Sequence, residues 1–76
     1  MNVLDEIKNS VISGSVDETI AGIDRAISMG ITPNDIIQTG LIGAMTVVGE
    51  QFKNNEIYIP EMLIAARAMK ASLQKL

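Results

Sequence analysis

Apolar residues recur at every third or fourth position in four stretches of this chain, and the first three are closed by residues that stop a helix. That spacing puts each apolar set on one face of a 3.6-period helix. In the first stretch, roughly Val3 to Ile12, Leu4, Ile7 and Val11 share a face and Gly14 ends the helix. Ser15-Val16-Asp17-Glu18 then has the layout of a capping box, serine to glutamate amide and glutamate back. A second helix runs from Val16 to about Met29 with Val16, Ile20, Ile23 and Ile27 as its stripe, and Gly30 suits the left-handed position past its end. Thr32-Pro33-Asn34-Asp35 opens a third helix: a candidate cap, a proline at the first helical position and an acid at the positive end of the dipole. It should run to about Lys53, where Asn54-Asn55 can take the left-handed conformation. The fourth opens at Pro60 and continues to about Lys75, with Met62, Ala65, Met69, Leu73 and Leu76 along it.

Connections this short make neighbours antiparallel, so the expected fold is all-α, an antiparallel four-helix bundle. The expected interior is Ile7, Val11, Ile20, Ile23, Ile27, Ile37, Leu41, Ala44, Val48, Ala65, Met69 and Leu73. The third helix is apolar nearly all round: Ile37, Leu41, Ala44 and Val48 line one face and Phe52 continues it, while Ile36, Ile42, Met45 and Val47 sit on the opposite side. Such a helix is buried or has partners on several sides. Gly40, Gly43 and Gly49 each cost it up to ~1 kcal/mol relative to alanine, and close helix–helix packing is the simplest reason for them.

Composition excludes several classes of function. Seventy-six residues make one small domain, of a size that buries only about 60% of its unfolded surface. Hydrophobic residues are 47% of the chain, yet it has one Phe, one Tyr and no Trp, so aliphatic and methionine side chains do the packing. There is no Cys and no His, which removes disulfides, thiolate metal sites and the commonest general base. A formal charge of -3 argues against nucleic acid, which needs a basic face. No apolar run approaches a membrane span, and the acidic start has no signal-peptide layout. Cysteine-free composition is compatible with a reducing cytoplasm, the expected location.

Little of the chain carries chemistry. Glu50 and Glu61 have no Glu-x-x-His partner, so a di-iron bundle does not follow. Glu56 and Glu61 read as solvated charges at helix ends. The serines and threonines read as caps, since no base is present to activate them. Met45, Met62 and Met69 read as core filler. The informative run is Val48-Gly49-Glu50-Gln51-Phe52-Lys53-Asn54-Asn55-Glu56-Ile57-Tyr58-Ile59-Pro60-Glu61-Met62. It sets Phe52 and Ile59 seven positions apart across a turn between two helix ends. They either form a lid over the bundle's own end or offer an apolar surface to something flat.

Gly40-Leu41-Ile42-Gly43-Ala44-Met45, Val48-Gly49-Glu50-Gln51-Phe52, Glu56-Ile57-Tyr58-Ile59-Pro60-Glu61 and Ala65-Ala66-Arg67-Ala68-Met69 together resemble the helical cap domain of cobalamin-binding methyltransferase proteins. The pattern is similar to the cap of cobalamin-dependent methionine synthase. It is closer to the small corrinoid proteins that serve methylamine, methanol and methoxy-compound methyltransferases. The resemblance covers almost the whole chain, and its Gly-x-x-Phe…Pro-Glu part is its most specific. It implies that Phe52 and Ile59 cover the upper face of a corrin, with Met62 as a third apolar contact. In the related light-sensing regulators a Trp stands at the place of Phe52 and a Glu-His pair lies on the next helix. Here Met62 and Leu63 occupy that part.

What the resemblance implies is a non-catalytic cap, residues 1–76, of a methyl-carrying corrinoid protein. It would shield methylcobalamin while a methyl group passes from a small methylated donor to an acceptor. The implied partners are a C-terminal cobalamin-binding domain, Rossmann-like and with an Asp-x-His-x-x-Gly motif that this chain does not contain, and substrate-specific methyltransferase subunits. Cobalamin would be held by the full-length parent, not by this chain alone. So apolar a bundle is also expected to self-associate. The alternative is an autonomous helical interaction or dimerisation module with no cofactor.

Overall fold

Local chemistry fixes where each helix starts and stops in the computed structural model, which describes residues 2–76. Helix α1 spans Val3–Ser13, α2 spans Val16–Ser28 and α4 spans Ile59–Leu73. Helix α3 is continuous from Pro33 to Lys53 but not uniform: Pro33–Asp35 and Gly43–Lys53 are α-helical, and Ile36–Ile42 between them is π-helical. No strand occurs among the described residues. Three side chains cap helix N-termini: Asn2 Oδ1, Ser15 Oγ and Thr32 Oγ1 accept from the amides of Asp5, Glu18 and Asp35 at 2.9, 3.3 and 3.2 Å. Three helices end through a left-handed residue: Gly14 at φ 79°, Gly30 at 83° and Asn55 at 61°. Beside each, a wide backbone bond closes the last turn: Ser15 N to Ser10 O, Ile31 N to Ala26 O and Glu56 N to Gln51 O.

Helix α1 packs against all three others. Its Ile7 is fully buried and sits between two glycines. A Cβ on Gly22 of α2 would stand 2.9 Å from Ile7 Cγ1, and one on Gly40 of α3 would stand 3.1 Å from Ile7 Cγ2. Close packing therefore accounts for Gly40, as the sequence suggested. It does not account for Gly49, where an added Cβ would meet nothing beyond its own helix within 4 Å.

Ile7 of α1 lies at Gly22 of α2, and Glu6 pairs with Arg25 at 3.1 Å. Leu4 and Ile7 meet α3 at Gly40, and Lys8 meets it at Gly43. On α4, Ile64 lies at Gly14 and Lys75 pairs with Asp24 at 3.8 Å.

Seven of the twelve expected core residues are buried: Ile7, Val11, Ile23, Leu41, Ala44, Val48 and Ala65. Ile20, Ile37 and Met69 are half-buried. Ile27 and Leu73 are corrections, 47% and 41% exposed. In α2 the buried face is Thr19, Gly22, Ile23 and Ala26; in α4 it is Ala65, Ala68 and Ser72. Both faces lie about one residue from the expected stripe, some 100° of turn. The reason is spacing between helix axes, which shrinks where the contact residues are small. Tight crossings select glycine, alanine, serine and threonine, and the larger Ile27 and Leu73 are left at the edges. Thr19 and Ser72 are buried without penalty because their hydroxyls donate to Ser15 O and Ala68 O at 2.6 and 2.7 Å.

The π-helical stretch has a similar origin. Ile36, Gly40, Ala44 and Val48 are all buried, at strict intervals of four. In a plain α-helix each such step overshoots a turn by about 0.4 residue, so the row would drift by about a third of a turn. The wider turns of a π-helix, bonded i to i+5, absorb that drift and hold one face toward α1 and the core.

Candidate functional site

The turn between α3 and α4 is built tightly. Asn55 N and Glu56 N donate to Phe52 O and Gln51 O at 3.1 and 2.8 Å, which ends α3 one residue after Phe52. Ile57 is half-buried and packs against the core, anchoring the segment. Tyr58 is extended and precedes α4 as its cap residue, so Ile59 is the first helical residue and Pro60 the second. The carboxylate of Glu61 accepts from Tyr58 N at 3.0 Å. Glu61 is exposed, but it is more than the free helix-end charge expected of it. Pro60 supplies a preset φ where no amide is needed, and Glu61 ties down an amide the helix leaves open. Together they determine where α4 begins, and therefore where Ile59 stands. Glu61→Ala should cost roughly 0.5–1 kcal/mol, concentrated in the first turn of α4. Amide hydrogen exchange would then quicken at Tyr58 and the following turn while α1 and α2 keep their protection.

Phe52 is 39% exposed and Ile59 55% exposed, so neither is used up in the bundle's own core. Met62 is half-buried and packs against the core, which supports the filler reading for it as for Met45 and Met69. One edge of Met62 remains accessible beside the turn. Ile42, Met45, Gly49 and Phe52 follow one another on α3 at intervals of three, four and three, a single stripe. Ile42 is exposed, Met45 half-buried, and Gly49 and Phe52 exposed. This stripe and the exposure of Tyr58 and Leu63 on the other side of the turn were missed in the sequence. The available signal was Gly49, a glycine inside a helix with no partner across from it.

Elsewhere the described residues hold little chemistry. The hydroxyls of Ser10, Ser13, Ser28, Thr46 and Ser72 each donate to a carbonyl of their own helix. No cluster of three metal-ligating side chains occurs among the described residues. A shallow groove between α1 and α2 is lined by Glu6, Asn9, Ser10, Glu18, Ala21 and Arg25, and the Glu6–Arg25 ion pair spans it. Among the described residues no helix is long and apolar enough to cross a membrane. At the α3–α4 end, Phe52, Tyr58, Ile59 and Leu63 are exposed beside a structured turn.

Residues 3–76 match the B12 binding domain family. The chain belongs to that family. Its relatives include a corrinoid protein of Desulfitobacterium hafniense, 33% identical over 73 residues, covering 96% of this chain and 34% of that protein. A monomethylamine corrinoid protein of Methanosarcina acetivorans is 30% identical over 74 residues, covering 97% of this chain and 34% of its own length. A trimethylamine corrinoid protein of Methanosarcina mazei is 34% identical over 74 residues, covering 95% and 33%. This B12 binding domain thus spans about a third of the length of the curated relatives it matches. No solved structure matches it significantly.

Proposed function

We propose that this B12 binding domain is the cap of a longer, methyl-carrying corrinoid protein, shielding the upper face of its cobalamin. The observation that carries the reading is the exposure of Phe52 and Ile59 at a rigidly capped turn in a member of this family. Apolar side chains held at a bundle's end without being buried there are the chemistry a flat, mostly apolar ring face requires. Phe52 and Ile59 would cover the ring and Met62 would support them from the core side. The residues fit a cover and not a cobalt ligand: the chain has no histidine, so ligation falls to the cobalamin-binding part of the parent.

Bound cobalamin supplies the methyl-carrying cobalt. The chain's own residues exclude water from that face and must then leave it, because methyl donor and acceptor enzymes need the same access. A small bundle moves as a rigid body, which suits such gating. The partners on this reading are the cobalamin-binding domain and substrate-specific methyltransferase subunits, in the cytoplasm. The test is deletion of residues 1–76 from the full-length protein loaded with methylcobalamin. Bleaching of the bound cofactor under fixed illumination should become several-fold faster. Unchanged bleaching in a folded, loaded deletion variant would overturn the cap.

A second reading, an autonomous interaction module, draws on Ile27, Met29, Leu73 and Leu76, exposed late in α2 and in and beyond α4. It would gain if the deletion changed sedimentation of the full-length protein and left bleaching untouched.

A further inference from the structure

Four of the six glycines have a visible reason within the bundle. Gly14 and Gly30 sit at positive φ. Gly22 and Gly40 would push a Cβ into Ile7. At Gly43 an added Cβ would make an ordinary contact, 3.8 Å from Lys8 Cδ. Gly49 has none of these. Its backbone is helical, it lies inside Gly43–Lys53, and an added Cβ would meet nothing beyond its own helix within 4 Å. A glycine in an exposed helix interior weakens the helix by ~1 kcal/mol relative to alanine. Here no contact inside the chain offsets that cost.

Its position points to the reason. Gly49 lies one turn before Phe52 on the Ile42–Met45–Gly49–Phe52 stripe, so a bare stretch of helix backbone adjoins a half-exposed phenyl ring. A phenyl ring beside bare backbone forms a step. A flat ligand covered by the phenyl can extend past it only if no side chain rises next to it. We infer that Gly49 is a clearance residue of the cap, the point where the rim of the corrin comes closest to α3. The inference rests on the cap reading and adds to it a determinant that is an absent side chain. Gly49 makes no bond to cobalt and takes no part in methyl transfer. It sets how closely the bundle can seat.

The test uses Gly49→Ala and Gly49→Leu in the full-length protein, beside Phe52→Ala. In the apoprotein, Gly49→Ala should raise the melting temperature by roughly 2–8 °C, because helix propensity improves and no contact is lost. In the methylcobalamin-loaded protein the same change should speed bleaching under fixed light, and Gly49→Leu should speed it further. A more stable apoprotein with a less protected cofactor is the combination that a purely structural glycine cannot produce. If Phe52→Ala speeds bleaching while both Gly49 variants match the wild type, the clearance role is overturned and the cap stands. If none of the three changes bleaching, the cap reading and this inference fall together. A lower apoprotein melting temperature for Gly49→Ala would reveal a packing role inside the bundle and overturn the inference. So would a change in apoprotein sedimentation for Gly49→Leu with bleaching unaltered, since the stripe would then face a second copy.

Discussion

Ile7→Ala is expected to leave this chain only marginally folded at room temperature. Ile7 has no exposed surface, and it fills the space between Gly22 of α2 and Gly40 of α3. Removing its outer carbons opens a gap that both neighbours border with bare backbone, so no side chain is at hand to swing in. Isoleucine-to-alanine changes at such sites cost about 2–5 kcal/mol. A whole domain is stable by about 5–15 kcal/mol, and one of 76 residues lies toward the low end because it buries a smaller share of its surface. The change therefore removes most of the available stability. Urea titration followed by far-ultraviolet circular dichroism would show the midpoint falling close to zero denaturant. A shift of only a few tenths of a kcal/mol would mean that α2 and α3 close over the gap, and that Ile7 is not the point on which three helices meet.

Phe52→Ala is expected to act in the opposite sense, with a small effect on the fold and a large one on the cofactor. With 39% of its surface still exposed, the phenyl ring contributes less to the bundle than the ~3–5 kcal/mol of a fully buried one. The rest of its apolar surface is free to be covered only when the cap is seated. Burying a side chain of this size contributes roughly 1.5–3 kcal/mol, and any part confined to the seated state shifts the balance toward the unseated one. Only the exposed two-fifths is at stake, roughly 0.6–1.2 kcal/mol, which at 1.4 kcal/mol per factor of ten is roughly a 3–7-fold drop in the seated-to-unseated ratio. The readout is bleaching of methylcobalamin in the wild-type and Phe52→Ala holoproteins under equal illumination. Faster loss in the variant supports the cap. Equal rates in a folded variant would make Phe52 a lid on the bundle's own end.

These two residues also mark the limits of what the sequence reveals. Phe52, Ile59 and Met62 stood out as candidates because a distinctive run surrounds them and resembles a known cap. Met62 already read as core filler in the sequence, and its packing against the core agrees. Glu61 looked like one more surface charge because an acid at a helix start is common. Only the extended Tyr58 shows that its carboxylate closes the helix by accepting a backbone amide.

Helix ends were determined by the sequence alone. Caps at Ser15 and Thr32, and left-handed stops at Gly14, Gly30 and Asn55, depend on a few neighbouring residues, and neighbouring residues are what a sequence lays out. The all-helical class and the family follow from the same local information. Which face of α2 and of α4 is buried was decided only by tertiary structure. The apolar stripes of α2 and α4 predicted Ile27 and Leu73 inside. The bundle instead turned both helices by about one residue so that Gly22, Ala26, Ala68 and Ser72 could meet their neighbours at close range. Hydrophobicity ranks side chains by what they gain on leaving water, but how near two helix axes can come depends on the smallest residues at the crossing. That is a property of pairs of helices, and no single stretch of sequence contains it. The π-helical stretch of α3 has the same status: four buried residues at intervals of four are visible in the chain, but the need to keep them on one face arises only once α1 lies against them.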